Sequence, residues 1–162
     1  MKHPRSKAEQ SRNLVGAEVA FQVLNEIGII AQLSRVELER AAGDTLSGAG
    51  FGVLNHLARL PGEWSPARLA RAFQVTKGAM TNTLQRLEAA DCILVIADPM
   101  DGRAKHVRIT ETGLRAREAT LARLAPGMAS LVQILGADTL HALVPNLTRL
   151  RAALDAAREG RS

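Results

Sequence analysis

Lys77, Gly78, Thr81, Asn82 and Gln85 recur at steps that a 3.6-residue helical turn brings onto one face. Their chemistry is that of base-edge recognition. Asn and Gln each carry a donor beside an acceptor, the pattern adenine offers in the major groove, and short Thr81 and Gly78 allow close approach. Thr81, Asn82 and Gln85 are therefore assigned to bases, and Lys77, Arg86 and Lys105 to phosphates. Thr76, at the start of the same helix, joins them as an expected DNA contact. The intervening steps, Met80, Leu84 and Leu87, are apolar and point inward.

A reading face needs a frame, and the neighbouring residues spell one out. Ser65-Pro66 opens a preceding helix: serine caps free amides, and proline at the first helical position forfeits no bond. Leu69, Ala70 and Phe73 share its inner face. Gln74-Val75-Thr76 forms a three-residue turn, and Thr76 caps the second helix, which runs to about Ala90. Ile93 to Ala97 and His106 to Thr110 then pair as a hairpin, with Val107 and Ile109 inward and Arg108 outward. The loop between them, Asp98 to Lys105, is rich in turn residues and carries Arg103 and Lys105 near its tip, where a cation suits a narrow minor groove.

Helix, tight turn, helix and charged hairpin together resemble a MarR-family winged helix-turn-helix regulator. Asp101-Gly102-Arg103, followed by Val107-Arg-Ile-Thr110 and Gly113, matches that family's wing signature. The resemblance extends over about residues 25–160. It implies that Arg103 reaches a minor groove while Asp101 orients it. It also implies a ligand-responsive repressor, in which a small aromatic or anionic molecule, a metal or an oxidant alters the spacing of two reading heads. The basic N-terminal extension and Pro145 within the last helix depart from the family pattern.

The flanks serve a different purpose. Ala20, Val23, Leu24, Ile27, Ile30 and Ala31 form one apolar stripe and Ile29, Leu33 and Val36 a second, so this helix is expected to be buried on both sides. Leu140, Leu143, Leu147, Leu150 and Leu154 follow alternating steps of three and four, the seam of a helix packed lengthwise on another. A homodimer is the expected consequence, with an intramolecular seam as the alternative. Glu111 to Ala125 reads as a helix, Pro126-Gly127 as a break or kink, and Met128 to Leu135 as a continuation. Leu114, Leu121 and Leu124 are read as core, and Pro145 is expected to bend the last helix or move its start. A short helix, Phe51 to Leu60, supports the reading head.

The expected organisation is mainly α with a small β-hairpin wing. Residues 1–18 form a basic arm, 46–110 the winged helix-turn-helix, and 19–45 with 111–162 the helical dimerisation region. The net charge of +5 favours a polyanionic partner, and its placement says more. From Arg59 to Arg108 there are eight Lys or Arg against five Asp or Glu, on the segment already assigned to DNA. Double-stranded DNA is the expected partner, bound by a dimer as an inverted repeat with half-sites about one helical turn apart.

No apolar run reaches membrane-spanning length and the N-terminus lacks a secretion signal, so a cytoplasmic protein is expected. One cysteine, Cys92, excludes an internal disulfide; it is read as a small buried residue at the start of the first wing strand. The four histidines show no metal-ligand spacing, and no cofactor is expected. Neither a nucleophile with its base nor a phosphate-binding glycine loop stands out, so an enzyme is not expected. Ile29, Leu33, Leu54 and His56 mark a candidate effector pocket for an aromatic acid, with His56 otherwise a structural hydrogen-bonder. The remaining alternative is a winged-helix protein-interaction module without an operator; the polar, locally basic face argues against it.

Overall fold

A computed structural model describes residues 7–43, 46–97 and 105–160. Six helices and one hairpin follow in the order α1 (Lys7–Ala42), α2 (Gly48–Arg59), α3 (Pro66–Ala72), α4 (Lys77–Ala89), β1 (Ile93–Ala97), β2 (Lys105–Ile109), α5 (Glu111–Leu135) and α6 (Ala137–Glu159). The fold is mainly α with a hairpin wing. The chain forms two compact units, one ending at Thr120 and the other beginning at Leu121.

The reading head is built where the sequence places it, and the caps explain why. The Ser65 hydroxyl accepts from the Arg68 amide at 3.2 Å, and the Thr76 hydroxyl accepts from the Ala79 amide at 3.1 Å. Each satisfies an amide that the helix itself leaves open. Both helices also end alike. After α3, Val75 N–H donates to Ala70 O and Gln74 N–H to Arg71 O; after α4, Cys92 N–H donates to Leu87 O and Asp91 N–H to Glu88 O. These are Schellman closures, which place one residue in the left-handed region. Here the residues are Gln74 (φ 54°) and Asp91 (φ 53°), where glycine is usual.

Leu69, Ala70, Met80, Leu84 and Leu87 are buried as expected, together with Phe51, Val53, Leu54, Ile93 and Val107. This cluster is the core of the reading head. The hairpin is antiparallel in the register Ile93 to Ile109 and Val95 to Val107, which sends Val107 inward and leaves Arg108 exposed. Ile109 is half-buried. Trp64 adds a bridge to Val107, whose N–H donates to Trp64 O at 2.7 Å, tying the loop before α3 to the wing.

The wing closes onto α5 through Thr110. Its hydroxyl donates to Asp91 O at 2.6 Å and accepts from Gly113 N–H at 3.1 Å, while its own N–H donates to Cys92 O at 3.1 Å. Gly113 is required by space: a Cβ there would lie 2.1 Å from the Cys92 carbonyl oxygen. Further along α5, Arg117 Nε donates to Asn55 Oδ1 at 3.1 Å and fastens the helix to α2. At the start of α2, Glu39 of α1 accepts from Gly48 N–H at 2.9 Å, and Ser47 caps Gly50.

Several expectations are corrected. Residues 7–18, read as part of an arm, belong to α1; Lys7, Ala8, Glu9, Gln10, Arg12 and Leu14 favour the helix, which continues through Gly16. The helix read as Phe51 to Leu60 begins at Gly48, behind its Ser47 cap. α5 continues through Pro126 without a break, and α6 runs through Pro145 with its start unmoved at Ala137. Each proline removes one backbone bond, freeing the carbonyls of Ala122 and His141; both residues are exposed, so water can take them. Leu121 is exposed and Leu114 and Leu124 are half-buried, so the three are not core residues of the chain.

Candidate nucleic-acid interface

α4 separates its two faces cleanly. Met80, Leu84 and Leu87 are at most 4% exposed, while Lys77, Gly78, Thr81, Asn82, Gln85 and Arg86 are all exposed. Binary patterning has this result because the helix keeps only its apolar stripe against the core. Thr81 donates its hydroxyl to Lys77 O at 2.8 Å, which leaves its oxygen lone pairs as acceptors toward a base amino group. Thr76 accepts from Ala79 N–H, a bond that leaves its hydroxyl proton available to donate. Gly78 has nothing within 4 Å of a would-be Cβ, so local packing does not require a glycine there.

The cations of the head are open to solvent. Arg59, Arg68, Arg71, Lys77, Arg86, Lys105 and Arg108 are exposed, against exposed Glu63, Glu88 and Asp91. Lys105 begins β2 opposite Ala97, at the described end of the wing. Asp101 and Arg103 lie outside the described residues. Arg86 sits at the edge of a cavity of about 260 Å³ lined also by Glu39, Leu46, Ser47 and Thr83.

The expected effector residues differ in exposure. Ile29 and Leu33 are exposed on α1, at 48% and 62%, whereas Leu54 is wholly buried and offers no surface to a ligand. His56 is half-buried, its ring edge-on to Trp64 at 4.2 Å and tilted against Phe73 at 5.3 Å. Its Nε2 is buried without a hydrogen-bond partner among the described residues, and burial holds the imidazole below its ordinary value. Cys92 is buried and precedes β1, which begins at Ile93. Burial pushes its thiol up, and the Asp91 carboxylate adds to the rise.

Residues 44–104 match the model of the MarR family. That span includes all of α2, α3, α4 and β1. The matched segment is a winged helix-turn-helix similar to that of the MarR family. Solved structures agree in fold: MarR aligns at a TM-score of 0.70 with 26% identity, covering 85% of this chain and 93% of that one. The transcriptional regulator BldR from Sulfolobus solfataricus aligns at 0.68 with 24% identity, covering 85% and 97%. MepR of S. aureus, in complex with DNA, aligns at 0.69 with 20% identity, covering 82% and 97%. No curated protein matches the sequence.

In this winged head, sequence reasoning missed Trp64 and Arg68. The Arg68 guanidinium lies 4.5 Å over the Trp64 ring, and its Nη1 donates to Glu63 O at 2.6 Å. The signal available was the chain's single tryptophan placed directly before a helix cap. Outside the head, α1 exposes Phe21, Ile29, Ile30, Leu33 and Val36, and Met128, Leu131, Ile134, Leu143, Val144 and Leu147 are exposed on α5 and α6. The described residues contain no single helix long and apolar enough to cross a membrane.

Proposed function

We propose that this protein is a sequence-specific, double-stranded-DNA-binding transcriptional regulator that acts as a homodimer on an inverted-repeat operator. The observation that carries the reading is the exposed polar face of α4, backed by an apolar core and flanked by a wing. Thr81, Asn82 and Gln85 read base edges. Thr76, Lys77, Arg86 and Lys105 hold phosphates, and Arg103 with Asp101 serves the minor groove. The exposed apolar residues of α1, α5 and α6 support the dimer, because so many large apolar side chains on a single chain call for a partner. Two reading heads related by a two-fold axis then address half-sites about one helical turn apart.

The regulator represses by occupying its operator in the cytoplasm, and a small effector such as an aromatic acid lowers that occupancy. Such a response requires only that the effector bind better to a conformation unable to engage both half-sites.

The test is fluorescence anisotropy against duplexes tiling the promoter beside the protein's own gene, at several salt concentrations and with nonspecific competitor. One preferred inverted repeat with steep salt dependence is the expected result. Gln85→Ala should relax sequence preference, whereas Lys77→Ala should weaken specific and nonspecific duplexes alike. Equal weakening by both variants would sink the base-reading assignment. Absence of binding at low salt would leave a protein-interaction module, and a monomer by light scattering would refute the dimer.

A further inference from the structure

We propose that Arg68 is a phosphate clamp, pre-set against Trp64 at the root of the wing, that fixes the register of the reading head on the DNA backbone. The inference rests on the DNA-binding reading above and adds to it a residue outside α4 and the wing tip.

Three constraints converge on this side chain. Its backbone N–H is held by the Ser65 cap at 3.2 Å. Its Nη1 is anchored to the Glu63 carbonyl at 2.6 Å, and its guanidinium carbon lies over the Trp64 ring, 4.5 Å from the centroid. Trp64 is itself held, with Nε1 donating to Leu60 O at 3.1 Å and its carbonyl accepting from Val107 of β2. An exposed arginine normally loses much rotamer freedom on binding; this one has given up most of it already, so less remains to be lost when an anion arrives. One of five N–H donors serves Glu63, and the rest of the fork remains exposed for oxygen ligands.

The location decides which oxygen. α3 is the first helix of the helix-turn-helix, the one that crosses the DNA backbone while the second lies in the groove. Leu69 and Ala70 are its buried positions, so Arg68, together with Arg71 one turn later, faces away from the core. A side chain held over Trp64, whose backbone is bridged to β2, is placed for the sugar-phosphate rim and not for a base edge. Its ligand is therefore a backbone phosphate, and its contribution carries no sequence preference.

The experiment compares wild type with Arg68→Ala and Arg68→Gln by anisotropy across a salt series, on the preferred duplex and on a nonspecific one. Arg68→Gln keeps an aliphatic stem on Trp64 and serves if the alanine variant folds poorly. Each phosphate contact contributes about 0.9 to the slope of log affinity against log salt. A dimer has two copies of Arg68, so the slope should fall by about 1.8 in magnitude. Between 50 and 200 mM salt the variant would then lose roughly 12-fold less affinity than wild type. Both duplexes should be weakened by the same factor. Trp64, the only tryptophan, supplies a local readout: duplex should shift its emission in wild type and shift it less in either variant.

An unchanged salt slope with intact circular dichroism would reduce Arg68 to a structural brace and overturn the inference while leaving the regulator reading standing. Loss of preference for the specific duplex alone would make Arg68 a base reader and overturn it equally. Failure of the wild type to bind any duplex would instead remove the underlying reading, and the inference with it.

Discussion

Gly113→Ala should be among the most damaging small substitutions in this chain. The added Cβ would lie 2.1 Å from the Cys92 carbonyl oxygen, 2.9 Å from Ile109 Cγ1 and 3.0 Å from the Cys92 carbonyl carbon. A comfortable carbon–oxygen approach is about 3.3 Å, so α5 and the start of the wing must separate by roughly an ångström. Neither side yields easily, because Thr110 N–H binds Cys92 O, and the Thr110 hydroxyl bridges Asp91 O and Gly113 N–H. Overpacking costs about 1–3 kcal/mol, and one or two strained hydrogen bonds add about 1 kcal/mol each. The sum is about 2–5 kcal/mol. For a chain of this size that lowers Tm by roughly 4–20 °C.

The control lies in the same helix. At Gly127 a Cβ would meet nothing within 4 Å, so Gly127→Ala should stabilise by about 0.5–1 kcal/mol through backbone entropy alone. Thermal melts of both variants by circular dichroism provide the check, with operator affinity measured below the transition. The same methyl group should thus give opposite signs at two positions of α5. A Gly113→Ala protein melting at or above wild type would refute the close packing of α5 on the Cys92 carbonyl.

Two further outcomes follow from the reading head. Folded His56 titrates below its unfolded value of 6.5, so between those two values the unfolded chain binds more protons and stability falls as pH drops through that window. His56→Gln should flatten the decline as pH falls below 6.5, and parallel pH profiles of wild type and variant would refute the assignment. Gln74→Gly and Asp91→Gly each replace a side chain in the left-handed region, at φ 54° and 53°, and should stabilise by about 0.5–1 kcal/mol. Denaturant midpoints moving downward in both variants would show that the side chains, and not the backbone, govern those turns.

The sequence alone was enough for the reading head because its signals are local. Ser65 and Thr76 cap amides three residues ahead, Met80, Leu84 and Leu87 recur at helical steps, and the strand alternation settles which of Val107 and Arg108 turns inward. Each signal acts within a turn of helix or a pair of residues, so chain order suffices to read it. The exposed face of α4 followed from the same periodicity.

Tertiary structure decided what connects residues far apart in the chain. Glu39 binds Gly48 across nine positions, Thr110 reaches Asp91 across nineteen, and Arg117 reaches Asn55 across sixty-two. No periodicity reports these bonds, because they exist only once packing has brought the elements together. Trp64 became a neighbour of Val107, and hence a platform for Arg68, for the same reason. Pro126 and Pro145 show the converse. A local rule calls for a break or kink at the first and a bend or moved start at the second, yet both helices run on, with solvent available to the freed carbonyls. The four residues expected to form an effector pocket were grouped by polarity and proximity to a helix junction, which cannot distinguish a buried Leu54 from an exposed Leu33. Burial belongs to the packed chain, and only the packed chain decides it.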